Sequence, residues 1–310
     1  MTLVGRAVFE RAPRRRFARS VAASSVFADS TLAELAWHRR RSAAARWGWF
    51  GGAVGLLMGL VLFAPAAWLA SAVASQTGQR LLLADATGTV WNGSARVVLT
   101  GGAGSRDAST LPGRLHWTLR PALGALSLRA TQACCLVGSP QLRLRPGFSR
   151  VAMTLAADAP GAANAAGPQP VGRWPAAWLA GLGTPWNTLQ LEGQLELAAR
   201  DFQLEQVDGR LSFGGAAQLD LLGVSSRLAT LRPLGDYRLG LASAPDGSNA
   251  GLTLVTRQGA LQLSGTGQWS AEAFRFRGEA RAADGTEAAL DNLLNIIGRR
   301  QGARSVIAIG

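Results

Sequence analysis

Residues 188–199 read TLQLEGQLELAA, a stretch in which leucine alternates with glutamine or glutamate. Successive side chains of a β-strand point to opposite faces, so this period of two places the leucines on one face and the polar residues on the other. Similar short segments recur on both sides of it, separated by Gly, Pro or Asn. Evenly spaced alternating segments of this kind predict a mainly β protein with an antiparallel meander, rather than βαβ units.

A charge-free segment precedes the strands. Residues 47–79 carry no charged side chain, and their centre, residues 49–74, reads WFGGAVGLLMGLVLFAPAAWLASAVA. A helix of about 20 apolar residues spans a bilayer, so we predict a single transmembrane helix over residues 47–74. Ten arginines against three acids in residues 1–46 predict a cytoplasmic tail, because positive charge stays inside. The bulk of the chain would then lie in the periplasm.

A cleaved signal peptide is the alternative to an anchor. Ala72, Val73 and Ala74 resemble an A-x-A cleavage site, but 46 residues before the apolar segment are far too many for a signal-peptide n-region. Cleavage there would yield a secreted β protein instead of an anchored one. An anchored inner-membrane protein is the prediction.

The predicted strands fall into two subdomains that we expect to be continuous. Residues 159–170 lack large apolar side chains and predict a linker or long loop between them. The first subdomain, residues 75–158, has predicted strands at 80–84, 95–99, 114–119, 125–130, 141–145 and 151–157. The second, residues 171–310, has them at 188–199, 202–207, 209–213, 217–222, 227–231, 237–242, 251–256, 260–269 and 273–282.

Two helices and a last strand complete the prediction. The sequence predicts a short helix over residues 174–181 with proline in its first turn. Near the C-terminus, a helix over residues 289–298 would place Leu290, Leu293, Leu294 and Ile297 on one face, with Thr286 as its cap. Residues 305–309 predict a final edge strand.

The formal net charge of +13 does not indicate nucleic-acid binding. The tail contributes ten of the arginines, and the other 22, balanced by 16 acids, are scattered along the predicted strands. A compact basic stripe with interleaved aromatics, as nucleic-acid binding requires, is missing from the sequence. We therefore expect no nucleic-acid partner.

Metal, cofactor and enzymatic functions find little support in the sequence. His116 is the single histidine after the tail, and it stands beside Trp117 on an alternating strand. Nucleophilic catalysis needs a base within reach of a Ser or Cys, and no G-x-S-x-G occurs. The acids from Glu192 to Asp220 alternate with leucines, as on a solvated sheet face. We expect a protein that is not an enzyme and that holds no metal and no cofactor.

The only two cysteines are neighbours, Cys134 and Cys135. The oxidising periplasm allows a vicinal disulfide, although disulfide geometry prefers Cα atoms further apart than sequence neighbours usually are. Two free thiols, one buried and one exposed or in an intermolecular bond, are the alternative, because neighbours on a strand point to opposite faces.

Tryptophans are numerous in the predicted β region, and they either fill its core or anchor contacts with partners. Six of them follow the anchor: Trp91, Trp117, Trp174, Trp178, Trp186 and Trp269.

Several motifs in a fixed order resemble the type II secretion system protein N family. Gly88-Thr89-Val90-Trp91-Asn92-Gly93 is similar to the family's G-T-V-W-x-G, and a strand carrying Trp117 follows it. Later segments contain Gly235 and Tyr237, then GALQLSGTG before Trp269, and the final helix precedes Gly298-Arg299-Arg300. The resemblance covers nearly the whole chain after the anchor, whereas the arginine-rich tail is longer than in the family.

The resemblance implies a non-enzymatic inner-membrane component of the machine that exports folded proteins from the periplasm. Its partners would be the platform proteins and the secretin, and Gly88, Val90, Trp91, Gly93, Trp117, Gly235, Tyr237 and Trp269 are the candidate structural or contact residues. The alternative is an AsmA-like anchored β groove that binds or moves lipid. A lipid groove predicts an open sheet with an uncovered apolar face, and a docking module predicts a filled core with an exposed edge.

Overall fold

The computed structural model describes residues 47–157, 167–208, 210–244, 247, 249–270 and 273–310. The chain divides into two units at the boundary between Leu62 and Phe63. The predicted tail and most of the predicted linker lie outside the described residues.

The described part of the first unit is helix α1, residues 47–62. The helices of the second unit are α2 (Ala66–Gln76), a 3₁₀ helix (Ala176–Leu182), α3 (Trp186–Leu189) and α4 (Glu287–Ile297). Its strands are β1 (Leu81–Gly88), β2 (Asn92–Thr100), β3 (Ala108–Thr110), β4 (Leu115–Ala122), β5 (Ala125–Thr131), β6 (Gln141–Pro146), β7 (Arg150–Ala156), β8 (Gln169–Pro175), β9 (Leu191–Val207), β10 (Arg210–Ser226), β11 (Gly235–Ser243), β12 (Ala250–Gly259), β13 (Leu261–Trp269), β14 (Phe274–Ala282), β15 (Arg299–Gln301) and β16 (Arg304–Ile309).

All sixteen strands of the described chain belong to one sheet, and the paired strands are antiparallel. Their order is β1-β2-β4-β5-β6-β7-β9-β10-β11-β12-β13-β14-β16-β15. The short strand β3 pairs with the end of β2, and β8 pairs with the first half of β9. The prediction of a mainly β protein with a large antiparallel sheet and a short C-terminal helix is thus confirmed.

The single helix predicted for residues 47–74 is interrupted. Pro65 has no backbone N–H to donate and disfavours helical backbone in the residue before it. Here Pro65 is extended at the start of α2, and it forms a β-bridge with Thr89. Ala66 of α2 is buried against the sheet. Of the helices formed by the described residues, none is both long enough and apolar enough to cross a membrane.

The long strands β9 and β10 each join two predicted strands. Both continue through irregularities in their pairing, where Asp201 and Gly215 have positive φ angles of 48° and 75°. A bulge of this kind adds one residue to a strand, so the strand pairing continues beyond it and the apolar side chains on both sides of the bulge stay on one face. The alternation breaks at these positions, which is why the sequence predicted separate strands.

The helix predicted over residues 174–181 begins only at Ala176, because Trp174 and Pro175 belong to β8. Two other local predictions were wrong. The predicted strand 227–231 is a turn, because the hydroxyl of buried Ser226 donates to the Leu189 carbonyl and accepts from the Leu228 N–H. Thr286 does not cap α4, since its hydroxyl donates to the Ala283 carbonyl instead. Neither hydrogen bond can be recognised from residue spacing.

The sheet has a concave apolar face and an outer polar face. Phe213 on β10 and Trp269 on β13 lie three strands apart, yet their ring centroids are only 5.0 Å apart. Three strand spacings measure about 14 Å along a flat sheet, so the sheet curls around the face that carries both rings. We call this side the concave face and the opposite side the outer face.

Helices cover the concave face near the first strands and near the last strands of the sheet. At one end α2 packs on Ala95 and Trp117. At the other, Leu290, Leu293 and Leu294 of α4 are buried against the inner residues of the last strands. The sheet therefore has a filled core beneath its first strands and another beneath its last strands, and the central strands lie between the two.

Candidate functional site

Four of the candidate residues meet at the turn between β1 and β2. Gly88 has a positive φ of 89°, and the indole Nε1 of Trp117 donates to the Val90 carbonyl over 3.1 Å. A methyl group at Gly93 would lie 2.5 Å from the Trp117 ring, so only glycine fits beneath it. Trp117 is 3% exposed. This cluster packs the turn against β4 and is structural.

The same turn also binds the backbone of residues 64 and 65. The Val90 N–H donates to the Ala64 carbonyl over 2.8 Å, next to the bridge between Pro65 and Thr89. Half-buried Trp91 accepts a hydrogen bond at its carbonyl from the Leu119 N–H. The Gly88–Gly93 motif therefore ties residues 64–65 to the sheet.

Gly235 and Tyr237 belong to the core beneath α4, far along the sheet from the first cluster. The Tyr237 hydroxyl donates to the Leu261 carbonyl over 3.0 Å, and the side chain is buried. Burial raises the pKa of Tyr237 well above its usual value, and nearby Asp236 adds to the effect. Gly235 lies so close to Gly259 that neither position has room for a Cβ.

Trp269 is the candidate residue with a large side chain that is exposed. It is 40% exposed and packs against Phe213 and, edge to face, against Phe274 with ring centroids 6.4 Å apart. The three rings close the concave face of β10–β14 at the end that carries the β13–β14 turn. Trp269 thus combines a packing role with an exposed edge.

Cys134 and Cys135 lie in a turn after β5 rather than on a strand, and they are joined by a disulfide. Cys135 is buried, and its carbonyl accepts a hydrogen bond from the Arg173 N–H. The turn is thereby attached to β8, beside the bridge between Leu136 and Gly172.

The middle of the concave face carries two rows of large apolar side chains that run across five strands. Each member pairs directly with the next across the sheet. The first row is Leu119, Leu128, Leu142, Leu155 and Phe202, and the second is Leu126, Leu144, Met153, Leu204 and Phe213.

These rows are only partly covered. Most of their members are half-buried, and Leu142, Leu144, Met153, Leu155 and Leu204 belong to none of the three buried clusters of the described chain. An apolar sheet face normally packs against a second layer. We call this stretch, from β5 to β9, the open stretch of the concave face.

Sequence reasoning did not single out the open stretch. Leu142, Leu144, Met153 and Leu155 do alternate with polar residues, which predicted their strands. The alternation could not show that a helix covers the ends of this face and leaves its centre open, because that depends on where α2 and α4 pack.

The outer face carries charged pairs instead. Arg238 holds Asp220 with two hydrogen bonds of 2.6 and 2.9 Å, and this contact lowers the pKa of the Asp220 carboxyl. Arg173 pairs with Glu196 at 2.7 Å across neighbouring strands. Such cross-strand pairs stabilise a solvated sheet face.

Metal ligands do not gather anywhere in the described part of the chain, which contains no group of three or more His, Cys, Asp or Glu residues able to hold an ion. His116 lies on β4 and faces the solvent.

Comparison with known proteins identifies a family. The family model described as type II secretion system (T2SS), protein N matches residues 79–307, from the start of the sheet to its last strand. No curated protein and no solved structure matches the chain.

Proposed function

The chain belongs to the type II secretion system protein N family, and from that premise we propose that it is a non-enzymatic component of this system, held at the inner membrane. The observation that carries the proposal is the family match, which spans the sheet from its first strand to residue 307 in its last paired strand. Membership of this family indicates involvement in type II secretion. The role of the chain would be to contact other components rather than to catalyse a reaction.

The charge-free segment and the arginine-rich tail support the membrane placement. Residues 47–79 lack any charge, and ten arginines precede them. We propose that the N-terminus is cytoplasmic and that the sheet lies in the periplasm. Protease added to spheroplasts should digest the sheet and spare an epitope at the N-terminus, and the protein should resist alkaline extraction from membranes. An epitope that is digested, or a protein that is extracted, would contradict this topology.

The free edge at β16 supports docking by strand addition. β15 pairs with β16 only as far as Val306, so the outer backbone groups of residues 307–309 have no strand beside them in the described chain. Ile309 at this edge is 52% exposed. A partner strand can add to such an edge by main-chain hydrogen bonds. We propose that a platform or secretin subunit binds here.

Photo-crosslinking in cells that express the complete secretion system tests this docking. A photoreactive phenylalanine analogue at Ile309 should crosslink to a platform or secretin subunit identified by mass spectrometry. The same analogue at Thr253, which is exposed on the outer face, is the matched control. Docking through this edge is wrong if position 309 yields no secretion subunit or only those that position 253 also yields.

The open stretch of the concave face favours a second function, the binding of a lipid acyl chain. Its two rows of leucine, methionine and phenylalanine form an apolar, partly uncovered trough across β5–β9. An acyl chain lying there would bury these side chains and would gain about 25 cal/mol for each Å² of apolar surface removed from water. The filled cores beneath the first and the last strands would limit the acyl chain to this central part of the sheet.

A phospholipid with a photoreactive group in its acyl chain tests this second function in membranes that contain the full chain. The label should be found in peptides carrying Leu144, Met153 and Leu204. Met153→Gln should reduce the labelling, whereas Thr154→Gln, its neighbour on the opposite face, should leave it unchanged. Labelling that does not distinguish the two variants would exclude an acyl-chain site in the trough.

A further inference from the structure

Two hairpin turns present large apolar side chains to solvent. Leu123 in the β4–β5 turn and Phe148 in the β6–β7 turn are fully exposed. Gly124 closes the first turn with a positive φ of 66°, and the Gly147 N–H donates to the Arg150 carbonyl in the second over 2.6 Å. These turns hold the two side chains outward, where no core can cover them.

The two turns are neighbours in space. β5 pairs with β6, and Leu126 lies opposite Leu144, so both hairpins end at almost the same level of the sheet. Adjacent hairpins are spaced by about 10 Å, twice the separation of paired strands. We call Leu123 and Phe148 with their turns the apolar tips.

A basic surface adjoins the apolar tips. On the outer face, the strands that end near them carry five exposed arginines, and two carboxylates lie among these, Glu205 and Asp208. Glu205 is already ion-paired with Arg150. The arginines are Arg120, Arg143, Arg145, Arg150 and Arg210.

The arginines are arranged by the register of the strands. Arg120 lies opposite Ser127, and Ser127 lies opposite Arg143, which places both arginines on one side of the sheet at one level. Arg145 is two residues closer to the β6–β7 turn on that side. Positive charge therefore extends from strand to strand just behind the tips.

Residues 64 and 65 attach to the same end of the sheet. The β1–β2 turn, which bonds to Ala64, and the β4–β5 turn lie at one end because Asn92 pairs with Thr118. From Thr118, β4 continues four residues to Ala122. At 3.4 Å per residue the tip projects about 14 Å beyond the level of Asn92.

We infer that the apolar tips are a second contact with a bilayer of anionic phospholipid, in addition to the charge-free segment. Leu123 and Phe148 enter the interfacial layer, as the apolar side chains of membrane-surface proteins do. The arginines behind them bind lipid phosphates, for which the guanidinium group is well suited. The inference shares with the proposed function only the placement of the chain at a membrane.

Fluorescence of the full chain reconstituted in vesicles tests the inference. Single cysteines replace Leu123, Phe148 or Thr230 in a Cys134→Ala, Cys135→Ala background, and each is labelled with a polarity-sensitive dye. Thr230 is exposed in the β10–β11 turn at the opposite end of the sheet and is the matched control. In vesicles of phosphatidylcholine and phosphatidylglycerol, the dye at 123 and 148 should shift to the blue and be quenched by brominated lipid, and the dye at 230 should not.

The arginines are tested by the same signal. Arg120→Gln with Arg145→Gln should diminish the blue shift at position 148, as should vesicles of phosphatidylcholine alone. Equal emission at positions 148 and 230 would overturn the inference, as would a protein that does not float with the vesicles or a shift that appears only after secretion subunits are added. Ile309 lies on edge strand β16, seven strands from β7 in the order of the sheet, so docking and tip insertion can fail independently.

Discussion

The indole nitrogen of Trp117 donates a hydrogen bond to the carbonyl of Val90, and the ring of this tryptophan lies directly over Gly93. The Gly88–Gly93 motif is therefore one half of a packed contact. The other half comes from a strand more than twenty residues later. This contact holds the β1–β2 turn in place, and that turn fixes the position of Ala64 on the sheet.

Gly93→Ala should destabilise the protein by about 1–3 kcal/mol, because the added methyl overpacks against the Trp117 ring and the carbonyls of Thr87 and Thr89. The measurement is the free energy of unfolding of the full chain in detergent. Gly251→Ala is the matched control, since a Cβ on that exposed strand position meets nothing closer than 3.8 Å. Equal losses for the two variants would contradict the packed contact.

Tyr237→Phe should cost about 1–2 kcal/mol at neutral pH, since it leaves the buried Leu261 carbonyl without its donor. Tyr237 has a raised pKa, so it contributes stability that is present below pH 10, its ordinary pKa, and is lost as the pH rises through the folded value. The difference between wild type and variant should therefore shrink in strong alkali.

Tyrosinate absorbance checks this directly, because Tyr237 is the only tyrosine in the chain. Ionisation should coincide with alkaline unfolding. A tyrosine that ionises near pH 10 in the folded protein would show that burial does not hold its proton.

Asp220→Asn should lower stability at neutral pH by about 1 kcal/mol, the upper range for partly exposed pairs, because it removes a two-bond contact with Arg238. The lowered pKa means that Asp220 contributes stability above its ordinary pKa of 3.8, and this is lost as the pH falls through the folded value. The two proteins should converge in acid. Asp85→Asn, which alters the solvent-exposed pair with Arg96, should change the stability little at neutral pH.

Leu293→Ala should cost about 2–5 kcal/mol, since Leu293 is 1% exposed where α4 covers the concave face. Ile296→Ala removes a similar side chain from the same helix at a position that is 44% exposed, and it should cost no more than about 0.5 kcal/mol. Denaturant unfolding of both variants measures the difference. Similar losses of unfolding free energy for the two variants would mean that α4 does not cover the concave face at the last strands.

Much of the fold follows from local pattern. Alternation over residues 141–145 and 151–157 predicted β6 and β7, and the spacing of Leu290, Leu293 and Leu294 predicted the buried face of α4. These predictions hold because strand and helix periods come directly from backbone geometry. The same reasoning failed at Pro65, where bonds to a distant turn end the helix, and at Asp201, where a bulge keeps a single strand intact.

The candidate residues illustrate the same division. Gly88, Gly93 and Trp117 were recognisable as a motif, but only the folded chain shows that they form one contact. Leu144 and Met153 belong to no motif, and their place in the open trough depends on the register of four strands.

The sequence by itself determined the secondary-structure class and the two faces of most strands, because these depend on residues close together along the chain, and it indicated the family through the order of its motifs. Only the tertiary structure decided how the sheet curls, which part of its apolar face stays open and which turns project at one end. Those properties arise from contacts between distant segments, such as Phe213 with Trp269 and Ala64 with Val90. Their energies depend on where every strand lies, and no local pattern encodes that arrangement.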